Sequence, residues 1–188
     1  VTSPYISRRA RLGEGVCIGH RVIVGPEVSI GDCTYVNQDS IIDSGSVGKF
    51  CSIAARVSIG PLDHPTRLFS THPGTYSECA WGIVSGPKAY SHKSPPVVGS
   101  DVWIGRDAIV MRGVCVGDGA IIGANAVVTK DVPAYAIAVG VPARVVGRRF
   151  DERTVDALLA TRWWDDPLAL RRLVAHGVGA VSQVKAME

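Results

Sequence analysis

The stretch "VGSDVWIGRDAIVMRGVCVGDGAIIGANAVVTKDVP", Val98 to Pro133, carries a six-residue beat. Val98, Ile104, Val110, Val116, Ile122 and Val128 fall at successive sixth positions, and glycine follows four of them. Four residues after each aliphatic sits Val102, Ala108, Val114, Ala120, Ala126 or Val132. The same beat runs earlier in the chain, from "LGEGVC" at Leu12 to "IGPLDH" at Ile59. One unit there, "IDSGS" at Ile42, is a residue short. Across fifteen units the first position is always aliphatic, the second is glycine in ten, and the fifth is almost always Val, Thr, Ser, Cys or Ala. Chance does not hold three positions in phase over this length, so the repeat dictates the fold.

Six residues make one short strand and a corner. The aliphatic position points inward, the small fifth position fits the crowded interior of the corner, and glycine is expected to supply the torsions of a tight bend. Three such sides make a coil, and fifteen units make about five coils, each paired with the next by parallel β hydrogen bonds ~4.8 Å apart. The fold class expected is all-β with a small α tail: a parallel β-helix of hexapeptide repeats, a protruding loop and C-terminal helices. Residues 1–147 are read as the β-helix domain, residues 61–96 as its protruding loop, and residues 148–188 as a helical extension. In the extension, Phe150, Val155, Leu158 and Leu159 share one helical face behind Asp151 as cap. Asp165, Asp166 and Pro167 read as a second helix start. Leu168, Leu170, Leu173 and Val174 then face the open end of the ladder or a neighbouring subunit.

Composition agrees with stacked small side chains rather than a conventional core. The chain of 188 residues is 46% hydrophobic but only 6% aromatic, with 21 glycines. A formal charge of +3 is too weak to argue for nucleic acid or a membrane surface. The five cysteines, Cys17, Cys33, Cys51, Cys79 and Cys115, form no C-x-x-C pair and predict a reducing, cytoplasmic setting. The opening "VTSPYISRRARLGEG" has no apolar core, and no run approaches 18 apolar residues, so neither a secretion signal nor a spanning helix is expected.

Between "IGPLDH" and "VVGSDVW" the beat stops for over thirty residues. An insertion of that size in a compact domain is usually functional or disordered. This one carries Phe69, Tyr76, Trp81 and Tyr90, so it is not disordered by composition. It also carries three of the five histidines, His64, His72 and His92.

The pattern resembles the hexapeptide-repeat transferases, which fold as left-handed parallel β-helices. The His-Pro pair ahead of "PPVVGSDVWIGRDAIVMRGVCVGDGAIIGANAVVTKDVPAYAIAVGVPARVV" is similar to the coenzyme-A-dependent acetyltransferases of that fold, including those acting on galactosides and maltose. The later "RRFD" and "WWDDP" resemble the xenobiotic branch, which modifies streptogramin and chloramphenicol antibiotics. The resemblance spans roughly residues 30 to 175. It implies an acetyl-CoA-dependent O- or N-acetyltransferase acting on an antibiotic, natural product or saccharide by direct transfer, in a cleft between the subunits of a homotrimer.

The resemblance implies His64 as general base, because a near-neutral imidazole can take a proton from an alcohol that does not ionise at pH 7. His72, Tyr76 and Trp81 become candidate acceptor-binding residues. On the coenzyme side it implies that Trp103 borders the pantetheine arm, that the Ala124 amide bonds a pantetheine carbonyl, and that Thr129 approaches the adenine and Lys130 a phosphate. Arg144, Arg148 and Arg149 add positive charge nearby. Arg106 departs from the family, which often has a small residue after "WIG". His92 reads as structural, and His20 and His176 as exposed polar positions. Cys51 falls on an inward ladder position and has no setting for a nucleophile.

Two other classes compete with this reading. The γ-type carbonic anhydrases share the ladder and bind zinc through three histidines, two of them on the ladder itself. The corresponding units here have none, so no metal is expected. A non-catalytic scaffold would need neither the His-bearing loop nor "IGANAVVTK".

Overall fold

The computed structural model describes residues 5–76 and 90–166, together with residues 168, 171 and 174. Two-residue strands follow one another at each ladder side. They are β1 (Arg11–Leu12), β2 (Cys17–Ile18), β3 (Ile23–Val24), β4 (Ser29–Ile30), β5 (Tyr35–Val36), β6 (Ile41–Ile42), β7 (Ser46–Val47), β8 (Ser52–Ile53) and β9 (Ser58–Ile59). After the loop come β10 (Val97–Val98), β11 (Trp103–Ile104), β12 (Ile109–Val110), β13 (Cys115–Val116), β14 (Ile121–Ile122) and β15 (Val127–Val128). Longer strands β16 (Ala136–Val139) and β17 (Arg144–Arg148) precede one helix, α1 (Glu152–Thr161).

Each coil gives one strand to each of three sheets. The first has the order β1-β4-β7-β10-β13, the second β17-β16-β14-β11-β8-β5-β2, and the third β15-β12-β9-β6-β3. All pairs are parallel except β16 with β17, so the molecule is a three-sided parallel β-helix. The short unit shows directly. Arg11 pairs with Ser29, 18 positions on, but Ser29 pairs with Ser46, one position fewer. The second residue of every strand from β3 to β15 points inward and is buried, and the fifth positions Val22, Val28, Thr34, Ser40, Cys51, Val57, Val102 and Ala108 fill the corners. The two polar ones are satisfied: Thr34 Oγ1 donates to Gly48 O at 2.8 Å and Ser40 Oγ to Ala54 O at 3.0 Å.

The structure corrects the role given to glycine. The left-handed torsions sit at the fourth position of the unit, and mostly not on glycine: Arg21, Glu27, Cys33, Asp39, Phe50, Arg56, Asp101, Asp107 and Asn125 all have φ between 56° and 63° or, for Phe50, 55°. From Cys33 onward their amides secure the corner by bonding back to the preceding coil, as Cys33 N does to Glu14 O and Asn125 N to Arg106 O, both at 2.8 Å. Those bonds offset a conformation that costs L-residues roughly 1–2 kcal/mol each. The second-position glycines are needed for a different reason, close approach of coils. A Cβ on Gly105 would sit 2.5 Å from Ala124 N, and one on Gly117 2.5 Å from Ala134 N.

The C-terminal extension packs along the side of the prism, on the edge between the first and second sheets. Asp151 caps α1, its Oδ1 accepting from Thr154 N at 2.8 Å. Val155 and Leu158 are buried against Tyr135, with Phe150 and Leu159 alongside. Arg149 lies over the Tyr135 ring, 5.2 Å from its centroid, and donates to Asp101 Oδ2 at 2.9 Å and Gly119 O at 2.8 Å. Further back along the same edge Trp163 stacks on Phe50 at 5.1 Å, and Lys49 Nζ bridges Asp165 (3.2 Å) and Asp32 (3.0 Å). Leu168, Arg171 and Val174 are helical, with Leu168 N capped by Asp166 at 2.8 Å. Leu168 and Val174 are exposed; Leu170 and Leu173 lie outside the described residues. The hairpin β16–β17, absent from the expectation, adds a final side to the second sheet where the six-residue beat has already ended.

The close approach of coils gives a stability test. Gly105→Ala is expected to cost about 1–3 kcal/mol, because its new methyl meets backbone that has to move. Gly147→Ala, with nothing within 4 Å of the added atom, is expected to be near neutral in the same urea titration.

Candidate active site

The loop leaves the ladder on the edge between the third and first sheets, after β9, and returns before β10. Lys49 N and Ser100 Oγ, 51 positions apart, still meet at 3.1 Å, so the coil closes as if the insertion were absent. Gly60 makes the exit with φ 68°, its carbonyl accepting from Ser44 Oγ at 2.9 Å. On the return limb, Arg112 donates from Nε to Lys93 O at 2.8 Å and from a terminal nitrogen to Ser44 Oγ at 2.6 Å.

Asp63 closes this neck. It occupies the fifth position of its unit, where the ladder otherwise keeps a small residue. Its Oδ1 lies 2.6 Å from His92 Nδ1, and its Oδ2 accepts from Lys93 N at 3.3 Å. Desolvation alone would raise the Asp63 pKa. Hydrogen bonds from His92, the Lys93 amide and the Tyr90 phenol outweigh it and hold the carboxyl down at about 2. The Tyr90 phenol is pushed up by desolvation and by its bond to this carboxylate.

His64, the next residue, is exposed. Its Nδ1 is 2.9 Å from Thr71 O and 2.9 Å from the Tyr76 hydroxyl. A carbonyl oxygen only accepts, so Nδ1 carries the proton and Nε2 keeps its lone pair. Tyr76, an expected acceptor-binding residue, is buried, at 5% exposure, and turns its hydroxyl to His64. His72 uses its ring locally. Its Nδ1 accepts from Gly74 N at 3.1 Å and caps the short 3-10 turn Pro73–Thr75 that ends at Tyr76. Trp81, Cys79 and His176 lie outside the described residues. His20 is exposed, as expected.

The residues expected on the coenzyme side occupy other parts of the prism. Trp103 stands on the outer face of the second sheet, 54% exposed. Ala124 is exposed on the edge between the second and third sheets, stacked over Gly105. Equivalent third-position amides are capped on the first–second edge, Glu14 N by Asp32 Oδ1 (2.9 Å) and Ser100 N by Asp118 Oδ1 (2.6 Å). Among the described residues no hydrogen bond reaches the Ala124 amide. The turn of the β16–β17 hairpin lies beside it, with Val127 N donating to Gly140 O at 3.0 Å and Ala143 N to Val127 O at 2.8 Å. Thr129 and Lys130 are exposed on the loop's own edge, beyond the coil that carries Arg112. Arg144 and Arg148 are exposed on β17, whereas Arg149 is taken up by Asp101 and Gly119.

Arg106 points outward, with its side chain 57% exposed and Nε 3.8 Å from Asp107. Asp107 is already engaged by Arg56 at 2.5 Å and 2.6 Å. Cys51 is buried on the ladder, and desolvation pushes its thiol up to about 11. Among the described residues no three His, Cys, Asp or Glu side chains converge on a metal position, and no helix is long and apolar enough to cross a membrane. What sequence reasoning missed is the neck: the roles of Asp63, Tyr90 and His92. The available signal was the lone carboxylate at a position the repeat keeps small.

Comparison with known proteins agrees with the fold. Residues 95–130 match the family model described as bacterial transferase hexapeptide (six repeats). A chloramphenicol acetyltransferase of Agrobacterium fabrum is 40% identical over 143 residues, covering 74% of this chain and 68% of that protein. A probable macrolide acetyltransferase of Lysinibacillus sphaericus is 38% identical over 122 residues, covering 63% of this chain and 68% of the relative. A galactoside acetyltransferase structure in complex with coenzyme A superposes with a TM-score of 0.60 at 27% identity, covering 76% of this chain and 70% of that one. The chain belongs to the hexapeptide-repeat acetyltransferases, and its fold is the left-handed β-helix of that family. It is an acyltransferase that uses acetyl-CoA as cosubstrate.

The low Asp63 pKa sets an acid limit on the neck. Because the folded value lies below that of an unfolded Asp, near 3.9, its stabilisation is complete above about pH 4 and is lost as pH falls toward 2. Proteolysis of the loop between pH 5 and 2 is expected to accelerate over that window in the wild type and to lack this step in Asp63→Asn.

Proposed function

We propose that His64 is the general base of a direct acetyl transfer to a hydroxyl or amine of an antibiotic, natural product or saccharide. The observation that carries this reading is the Thr71 carbonyl on His64 Nδ1, which leaves an exposed Nε2 lone pair for the acceptor proton. As the acceptor oxygen or nitrogen attacks the thioester carbonyl, its proton passes to Nε2. The tetrahedral adduct collapses with loss of the coenzyme A thiolate, which takes the same proton back from the imidazolium. No acyl-enzyme is required, in keeping with a buried Cys51 whose thiol is held protonated. The acceptor class follows the likeness to relatives named for chloramphenicol, macrolides and galactosides.

On the coenzyme side, the Ala124 amide, unbonded among the described residues, is a donor for a pantetheine carbonyl, with Trp103 flanking that arm. Thr129 stands at the adenine, and Lys130 with Arg144 and Arg148 at the phosphates. Lys130 is a remote contact and contributes mostly uniform binding.

The site is completed between chains of a homotrimer. Within one chain Trp103 is on the face opposite the loop's edge and Ala124 on a different edge, and a six-residue side spans up to about 20 Å. The outer row of the third sheet supports association: Ile23 and Ile41 are 40% and 37% exposed and extend toward Ile109 and Val127. Free thiols at Cys17, Cys33, Cys51 and Cys115 support a cytoplasmic location.

His64→Ala is expected to lower thiol release from acetyl-CoA by about 10²–10⁴-fold with unchanged melting; a fully active variant removes His64 from the mechanism. Lys130→Ala is expected to raise the KM for acetyl-CoA more than it lowers kcat, and an unchanged KM rules out the phosphate contact.

A further inference from the structure

We infer that Asp63 is the positioning residue for His64, acting through Tyr90 and Tyr76 in a closed ring of contacts at the neck of the loop. This rests on the reading of His64 as base. The ring begins at the Asp63 carboxylate, which accepts from Tyr90, His92 and the Lys93 amide. Tyr90 packs edge-on against His92 at 5.2 Å and against Tyr76 at 5.6 Å. The Tyr76 hydroxyl stands 2.9 Å from His64 Nδ1, with the two rings edge to face at 6.5 Å. His64 is bonded covalently to Asp63, which closes the circuit.

Each contact removes a freedom that the imidazole would otherwise have. His64 sits on an exposed limb where the ladder no longer fixes the backbone. The Thr71 carbonyl sets its tautomer, but Thr71 belongs to the same loop and moves with it. Among the described residues Asp63 hydrogen-bonds the exit limb to the return limb, and the return limb is in turn fastened to the ladder through Arg112 and Ser44. Tyr76 and Tyr90 pass that fixed position to the face of His64 where the proton is held. The carboxylate stays ionised far below any working pH, so the ring is present throughout the range in which the enzyme would be assayed. The position also explains itself against the repeat: Ser or Val would satisfy the corner, and only a longer side chain with two acceptor oxygens reaches Tyr90, His92 and the Lys93 amide together.

Asp63→Ser restores the residue type the ladder uses at this position while removing the clamp, so the ladder is expected to stay folded, with wild-type far-UV circular dichroism and a small loss in melting temperature from the opened neck. Its kcat should fall roughly ten- to hundredfold, the scale of a base misplaced by about 1 Å, with the KM for acetyl-CoA within twofold of wild type. Asp63→Asn, which keeps an acceptor oxygen for Tyr90 or His92, should recover part of the loss. In a His64→Ala background Asp63→Ser should lower the residual rate no further, because a positioning residue acts only through the group it positions. A wild-type kcat for Asp63→Ser overturns the proposal. So does an equal fractional loss in both backgrounds, which would make Asp63 independent of His64. Full activity of His64→Ala instead sinks the base reading itself, and the positioning role with it, and is told apart from the first two outcomes by the His64 single variant alone.

Discussion

Every feature of this chain is subordinate to the register of one coil on the next. Strand amides bond to the coil that follows in sequence, corner amides to the coil before. A coil that slips by a residue would lose both sets at once, so the spacing admits little variation. The one short unit is absorbed as a uniform change of register that then holds for all three sheets. Close approach of the corners excludes a side chain at second positions such as Gly105 and Gly117, and the interior excludes a large one at the fifth. The cost is a left-handed backbone at the fourth position of unit after unit, accepted even by Arg, Phe and Cys. Strain of about 1–2 kcal/mol at each such residue persists only because the surrounding bonds over-determine it.

The same constraint shapes the loop. An insertion of over thirty residues is tolerable only at a corner, and only if its two ends return to the separation of an ordinary corner. Bringing them together costs closure entropy that grows slowly with length. Asp63, Arg112 and Ser44 stabilise the closed neck through charge-assisted hydrogen bonds on a partly desolvated site. A requirement of the scaffold has thus produced a rigid stem, and the candidate base is the first residue beyond it. On the first–second edge the C-terminal extension plays a comparable part. It covers the corners from Tyr135 back to Asp32 with aromatic contacts and the Lys49 bridge, leaving the other two edges open for chemistry and association.

The ladder was legible because its signal is periodic. Aliphatics at every sixth position, the short unit at Ile42, the cap at Asp151 and the inward placement of Cys51 all follow from spacing or local residue type. The meaning of the glycines was not legible, because torsional need and close approach both select glycine. Only coordinates separate them. The left-handed positions were hidden for the opposite reason: Arg21, Cys33 and Phe50 carry no local hint of positive φ. The hairpin β16–β17 falls where the beat has faded and "VGVPA" could be any turn. In the loop, Asp63 meets His92 across 29 positions and Tyr76 meets Tyr90 with no repeat to relate them, so these pairings were beyond a reading of one sequence. His64 itself was found by likeness, and its orientation by geometry.

The central claim is that the base and the acetyl-CoA groove that it serves belong to different chains. It is tested most directly by mixing subunits. One chain carries His64→Ala. The other carries Ala124→Trp, which places a large side chain on the exposed corner where the pantetheine arm would lie. Each homo-oligomer should be inactive. Hetero-oligomers formed by co-expression should recover activity, with about a quarter of interfaces in a symmetric trimer combining an intact base and an intact groove. Absence of any recovery in mixed oligomers of confirmed composition would contradict the account and return both halves of the site to a single chain.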